Sequence, residues 1–239
     1  MIEIVVACLI IFFASTLQAA TGFGFSVLAT PLLFLIFAPQ QAIQINIIIS
    51  LIISLTLYPE LKKSVDKSLL KNLLKGAVAG IPIGALLFYA LSEEMLKIYA
   101  GIVILSLTMA ILLRLKVKQK NSRDIVSGMS SGALTSSLGM PGPPLLLYFS
   151  STNLNKHVLR STTLIYFLFI YFLGLIVNIS TIGSNWSTWA IATALTPVAF
   201  AGVFTGRKAF TLISQRTFRI VNIFILVATG ASLIVTSLR

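Results

Sequence analysis

Runs of about twenty apolar residues, repeated with only short polar breaks, decide what this chain can fold into. A helix rises about 1.5 Å per residue, so roughly 20 residues cross the ~30 Å hydrocarbon core of a bilayer. Residues 73–91, 95–113, 158–180, 187–205 and 217–237 meet that length, and 43–58 is a shorter candidate. Such a series predicts an all-α polytopic membrane protein, because only segments that satisfy their own backbone hydrogen bonds can span lipid. Composition agrees. The 239 residues are 57% hydrophobic and 10% charged, with mean hydropathy +0.99, too apolar for a water-exposed domain.

Two regions break the pattern. Residues 2–37 divide at Thr21, Gly22, Phe23 and Gly24 into a nearly full-length leg and a second leg of about 13 residues, ending before Pro39. Residues 124–150 divide at Gly139, Pro141, Gly142, Pro143 and Pro144 into legs of about 15 and about 8 residues. Those second legs reach only about 20 and 12 Å, so neither can span. Both regions read as re-entrant hairpins.

Loop charge orients the chain. Of its 18 basic residues, Lys62, Lys63, Lys67, Lys71 and Lys75 follow segment 43–58, and Arg114, Lys116, Lys118, Lys120 and Arg123 lie at mid-chain. Lys156 and Arg160 follow the second hairpin, and Arg207, Lys208, Arg216 and Arg219 lie between the last two spans. Placing these on the cytoplasmic side leaves the loops "APQQA", "SEE" and "TIGSN", which lack Lys and Arg, outside. Both chain termini are then external. The row Lys63, Lys67, Lys71, Lys75, with leucines between, reads as a cytoplasmic amphipathic stretch against anionic lipid.

Each half is then one hairpin plus three spans. Because three is odd, the halves run in opposite senses, as two inverted-topology repeats: residues 1–113 and 124–239, joined by the basic linker 114–123. An ungapped match supports this. "GIPIGALLFYALSEEMLK" from Gly80 aligns with "GVFTGRKAFTLISQRTFR" from Gly202, pairing Gly80 and Gly84 with Gly202 and Gly206, Ser92 with Ser214, and Lys97 with Arg219. These glycines read as close-packing positions.

Irregular backbone at membrane depth survives only where protein or a water-filled cavity satisfies it, so the two tips are expected to face each other near the midplane. Each second leg begins at its tip and aims a helix N-terminus there. That end carries roughly half a positive charge and free amides, which suit an anion. Pro143 and Pro144 fit a first helical turn, where no amide donor is missed.

The motifs "GFGFSVLATPLL", "SGALTSSLGMPGPPLLLYF" and "LRSTT", with the paired "GxxxG…S" stretches, resemble the TauE/SafE family of sulfite exporters and related permeases. The resemblance covers nearly the whole chain. It implies a cell-membrane transporter of small anions such as sulfite, sulfonates or other organosulfur and C2 compounds. The expected mechanism is alternating access, with the lipid bilayer as the other partner and no cofactor.

Candidate substrate-binding residues cluster at the breaks and the spans beside them: Thr21, Gly22, Gly24 and Ser26 at the first, and Ser136, Ser137, Gly139, Gly142 and Pro143 at the second. Their hydroxyls either donate to an anion or pack helices. Arg160 and Ser161 belong to the "R-[SA]-T" element of the family resemblance. The guanidinium either pairs with an anion entering from the cytoplasm or snorkels to headgroups. Gln44 and Asn46 occupy the corresponding start of segment 43–58 and offer amide donors to substrate or to neighbouring helices.

Other classes fit poorly. One cysteine, Cys8, and one histidine, His157, give no multi-cysteine or histidine metal site. Glu3, Glu60, Asp66, Glu93, Glu94 and Asp124 lie at segment ends or in loops, which supplies neither a catalytic carboxylate pair nor a midplane proton carrier. The net charge of +12 sits in loop clusters, as in cytoplasmic loops and unlike a nucleic-acid interface. The N-terminal apolar run lacks the basic start of a signal peptide and reads as a retained segment. A non-transporting membrane assembly or receptor subunit is the competing reading.

Overall fold

The computed structural model describes residues 2–113, 119–149 and 154–209. The expected span 217–237, with Arg114, Lys116, Lys118, Arg216 and Arg219, lies outside the described residues. Within them the chain is all-helical: α1 (Ile2–Thr21), α2 (Phe25–Leu33), α3 (Pro39–Leu61), α4 (Lys67–Ala90), α5 (Glu93–Leu112), α6 (Asn121–Leu138), α7 (Gly142–Phe149), α8 (Lys156–Ile182) and α9 (Trp186–Ala209). Five of these, α1, α3, α4, α8 and α9, are long and apolar enough to cross a membrane.

Local chemistry sets the ends. Asp66 caps α4 by accepting from the Ser68 and Leu69 amides at 3.0 Å, and Asn155 caps α8 by accepting from the His157 amide at 2.9 Å. Pro39 opens α3, where its missing N–H costs nothing, so the helix starts earlier than the apolar run beginning at 43. The second leg of the first break is shorter than its composition suggests. After Leu33 the amides of Leu35 and Ile36 bond back to Leu32 and Leu33, tightening the chain into a turn.

Two helix pairs pack at backbone distance through small residues. A Cβ on Gly80 or Gly84 of α4 would collide with the Met129 or Ala133 carbonyl of α6. In the matching pair, a Cβ on Gly202 of α9 would lie 2.6 Å from the Phe12 carbonyl of α1, and one on Gly206 would collide with Thr16. Close backbone approach of this kind is how helices associate without a hydrophobic drive between them. α3 and α8 pack on each other between these pairs, burying Ile43, Ile47, Tyr166 and Tyr171.

Contacts at and near the helix ends sort the two ends of the bundle. At one end Arg207 pairs with Glu60 at 2.9 Å, the Asp66 amide donates to Thr162 at 3.0 Å, and Asn72 reaches Asp124 at 3.1 Å. These bring the described basic stretches around residues 62–75, 120–123, 156–160 and 207 together. At the other end Gln41 bonds Ser187 at 3.1 Å and Gln44 bonds the Gly183 carbonyl at 2.8 Å, joining the uncharged loops.

Candidate functional site

Both breaks turn on a glycine in the left-handed region: Gly22 at φ 85° and Gly139 at φ 67°, with Gly24 at φ 103° capping α2. Each turn packs on a helix from the other half of the chain. A Cβ at Gly22 would lie 3.1 Å from the Arg160 Cα in α8, and one at Gly139 would lie 3.0 Å from the Asn46 amide nitrogen in α3. Gly139 also faces Ile43, and Ile43 and Arg160 stand as far apart in sequence as Gly22 and Gly139 do.

A helix stopped inside a protein leaves its last carbonyls without partners. The opposite half supplies them. Arg160, buried at 9% exposure, donates from Nε and Nη2 to the Ala19 carbonyl at 2.9 and 2.6 Å. Asn46 donates from Nδ2 to the Gly139 carbonyl at 2.7 Å. Arg160 is thus neither snorkelling nor idle: its charge caps the negative end of α1. Ser161 is buried beside it.

The second legs begin next to each other. A Cβ at Gly142, the first residue of α7, would lie 3.3 Å from Val27 and 3.9 Å from the Ser26 hydroxyl in the first turn of α2. Pro143 and Pro144 fill the first turn of α7 without spending an amide. Around this meeting point Phe23 contacts Phe149 and Phe167 edge-on, and Phe167 stacks against Tyr171. The buried Tyr171 hydroxyl faces those of Ser26 in α2 and Ser50 in α3, outside strict hydrogen-bond geometry.

Several buried polar atoms nearby in sequence also lack protein partners: both amide atoms of Gln18, Asn46 Oδ1, Thr30 Oγ1 and Ser50 Oγ. Such groups are costly when left unmet, and Ser15, Ser54, Thr163 and Asn178 carry others along the bundle.

Other candidates are engaged elsewhere. Ser136 and Ser137 turn their hydroxyls onto helix carbonyls, Ser136 to Ile81 at 2.8 Å and Ser137 to Ala133 at 2.8 Å. Thr21 bonds the Leu17 carbonyl at 2.7 Å, and Gln44 joins the Gly183–Ser184 loop. Tyr171, Ser50 and Gln18 are additions that the sequence signalled only as polar residues inside apolar runs.

Asp124 is a further addition. Although it lies at a helix start, it is buried, accepting from the Tyr148 hydroxyl at 2.5 Å and from Asn72 at 3.1 Å. A groove of about 560 Å³ runs from Arg123 and Tyr148 past Ser127 and Ser130 to Pro144, in the first turn of α7. Among the described residues no group of three or more His, Cys, Asp or Glu side chains could hold a metal ion.

An all-helical bundle with several bilayer-length helices, and two interrupted ones whose short legs start side by side at its centre, defines a multi-pass membrane protein of the transporter class. The chain matches the model of the family described as Sulfite exporter TauE/SafE over residues 7–233, and it belongs to that family. No curated protein and no solved structure matches it.

Proposed function

We propose that this protein carries a small anion of the sulfite, sulfonate, organosulfur or C2 class across the cell membrane, binding it where α2 and α7 begin. The observation that carries the reading is the approach of Ser26 to Gly142, which sets two helix N-termini and the Tyr171 and Ser50 hydroxyls around one point. The free amides in the first turn of α2, the Gly142 amide at the start of α7 and the partial positive charge of both helix ends attract an anion there without a buried lysine, and the hydroxyls supply directional donors. Gly142 lets the anion approach the backbone. Arg160 anchors the end of α1 and adds a full positive charge on the side from which the basic loops draw anions.

Alternating access follows from an inverted repeat. Its support is the exchange of partners across the halves, with α4 against α6, α9 against α1, and α3 against α8 between them. In this reading both hairpins are re-entrant and the end bearing Glu60, Arg207 and Asp124 is cytoplasmic. The groove ending at Pro144 is the inner approach to the site.

Flux into proteoliposomes tests the function. Saturable uptake of sulfite, thiosulfate, a sulfonate or a short carboxylate, lost in Gly142→Leu, is the expected result. Absence of flux for every one of these anions rejects the reading.

A further inference from the structure

Lys67, Lys71 and Lys75 are exposed and stand one helical turn apart. They do not form a separate stretch lying on the membrane surface. The Asp66 cap makes them the first turns of α4, whose opposite face buries Leu69 and Leu73 in the bundle. The row therefore descends the flank of the protein, about 12 Å from Lys67 to Lys75. Beside it runs a groove of about 640 Å³ walled by Leu70 and Leu74 and, from α8, by Phe169.

This combination fits one kind of occupant. The apolar walls continue to Phe169, midway along a bilayer-length helix, where the surrounding medium is acyl chain. Lysines that start at hydrocarbon depth extend their stems along such a surface and carry the ammonium toward the headgroups. Three of them on one rail concentrate positive charge at the mouth of the groove, and none of its described lining residues is acidic. A basic pocket between helices at the headgroup level selects an anionic lipid.

We propose that this groove binds one anionic phospholipid from the leaflet at the basic end, its phosphate held by the Lys67, Lys71 and Lys75 row and an acyl chain lying along Leu70, Leu74 and Phe169. The site is separate from the anion-binding centre and does not depend on it. Each basic residue at such a surface strengthens binding about fivefold, so removing all three weakens it on the order of a hundredfold.

Native mass spectrometry of the purified full chain, titrated with phosphatidylglycerol or phosphatidylcholine of matched acyl chains, reads this directly. Wild type is expected to retain phosphatidylglycerol preferentially. The combined Lys67→Gln, Lys71→Gln and Lys75→Gln variant loses that preference, and Phe169→Ala releases the lipid sooner with its charge unchanged. The exposed loop pair Lys62→Gln and Lys63→Gln, outside the groove, keeps it. Equal retention of the two lipids by wild type overturns the proposal, whatever the variants do. So does equal loss in the loop pair, which would mean diffuse attraction, or displacement by inorganic phosphate, which would mean a free-anion site.

Discussion

Arg160 in α8 holds the carbonyl of Ala19 in α1 with two nitrogens, at 2.9 and 2.6 Å, though the two residues belong to opposite halves of the chain. The bond closes the broken end of α1 where the chain cannot continue its own ladder. It also fixes the guanidinium next to Gly22, whose missing side chain leaves room for the Arg160 backbone.

Replacing this arginine separates its two roles. A charge-assisted hydrogen bond contributes about 1.5–3 kcal/mol, so Arg160→Gln should lower the unfolding free energy by that order, and Arg160→Lys, which keeps charge but loses the planar fork, by less. Thermal unfolding in detergent gives the stability. An equilibrium anion titration gives the affinity, expected to fall roughly tenfold or more in Arg160→Gln, since about 1.4 kcal/mol is a factor of ten. Unchanged affinity in a destabilised variant would leave Arg160 as a cap alone.

The glycines at the second break should behave differently from one another. Gly139 has φ 67° and faces Asn46, so Gly139→Ala forces a left-handed alanine at a cost of about 1–2 kcal/mol. Gly142 is helical, and a Cβ there would press on Val27 at 3.3 Å, with the Ser26 hydroxyl at 3.9 Å. If the anion binds where α2 and α7 begin, Gly142→Leu should still insert in the membrane yet lose substrate binding, because its side chain crowds that point. Normal binding by Gly142→Leu would remove the meeting point of α2 and α7 as the site.

Tyr171→Phe deletes a buried hydroxyl that no protein group satisfies fully. Stability should change by less than about 1 kcal/mol, because no well-formed internal bond is lost. Anion affinity should drop about five- to tenfold, the worth of one neutral hydrogen bond of about 1 kcal/mol or slightly more. Equal affinity with a measurable loss of stability would make Tyr171 a packing residue.

The spans α4, α8 and α9 are legible in the sequence because each rests on a continuous apolar run of bilayer length, and the run at 95–113 is found as the helix α5. The breaks are legible because glycine and proline forbid continuation at Gly22 and Gly139. What escaped was tertiary. The polar start of α3 carries Gln41, which bonds Ser187 at the start of α9, and Gln44, which bonds Gly183 in the loop before it, so a run that composition trims at 43 is helical from Pro39. Tyr171 and Ser50 look like scattered polar residues until α3 and α8 are packed together. No pattern within either half could show that Arg160 closes α1, because the carbonyl it meets gains its meaning only from the break at Gly22. Asp124 sits at a helix start, where an acid suits the dipole, and only the packing of Tyr148 and Asn72 makes it a buried carboxylate.

Orientation in the membrane is the last expectation, and the contacts among the helix ends make it a single two-way choice. Glu60 with Arg207, Asp66 with Thr162 and Asn72 with Asp124 gather the basic stretches at one end, so those stretches lie on one side together. From the excess of lysine and arginine we propose that this side is cytoplasmic. Three exposed positions report on it: Ser68 beside the Asp66 cap, Gln119 before α6, and Ser184 in the uncharged loop at the other end. In a Cys8→Ser background, single cysteines at Ser68 and Gln119 should resist an impermeant thiol reagent added to intact cells and react after permeabilisation, whereas one at Ser184 should react at once. The opposite labelling pattern would invert the protein in the membrane. Labelling of Ser68 and Gln119 on different sides would break the common end that the contacts define, and with it the inverted arrangement of the two hairpins.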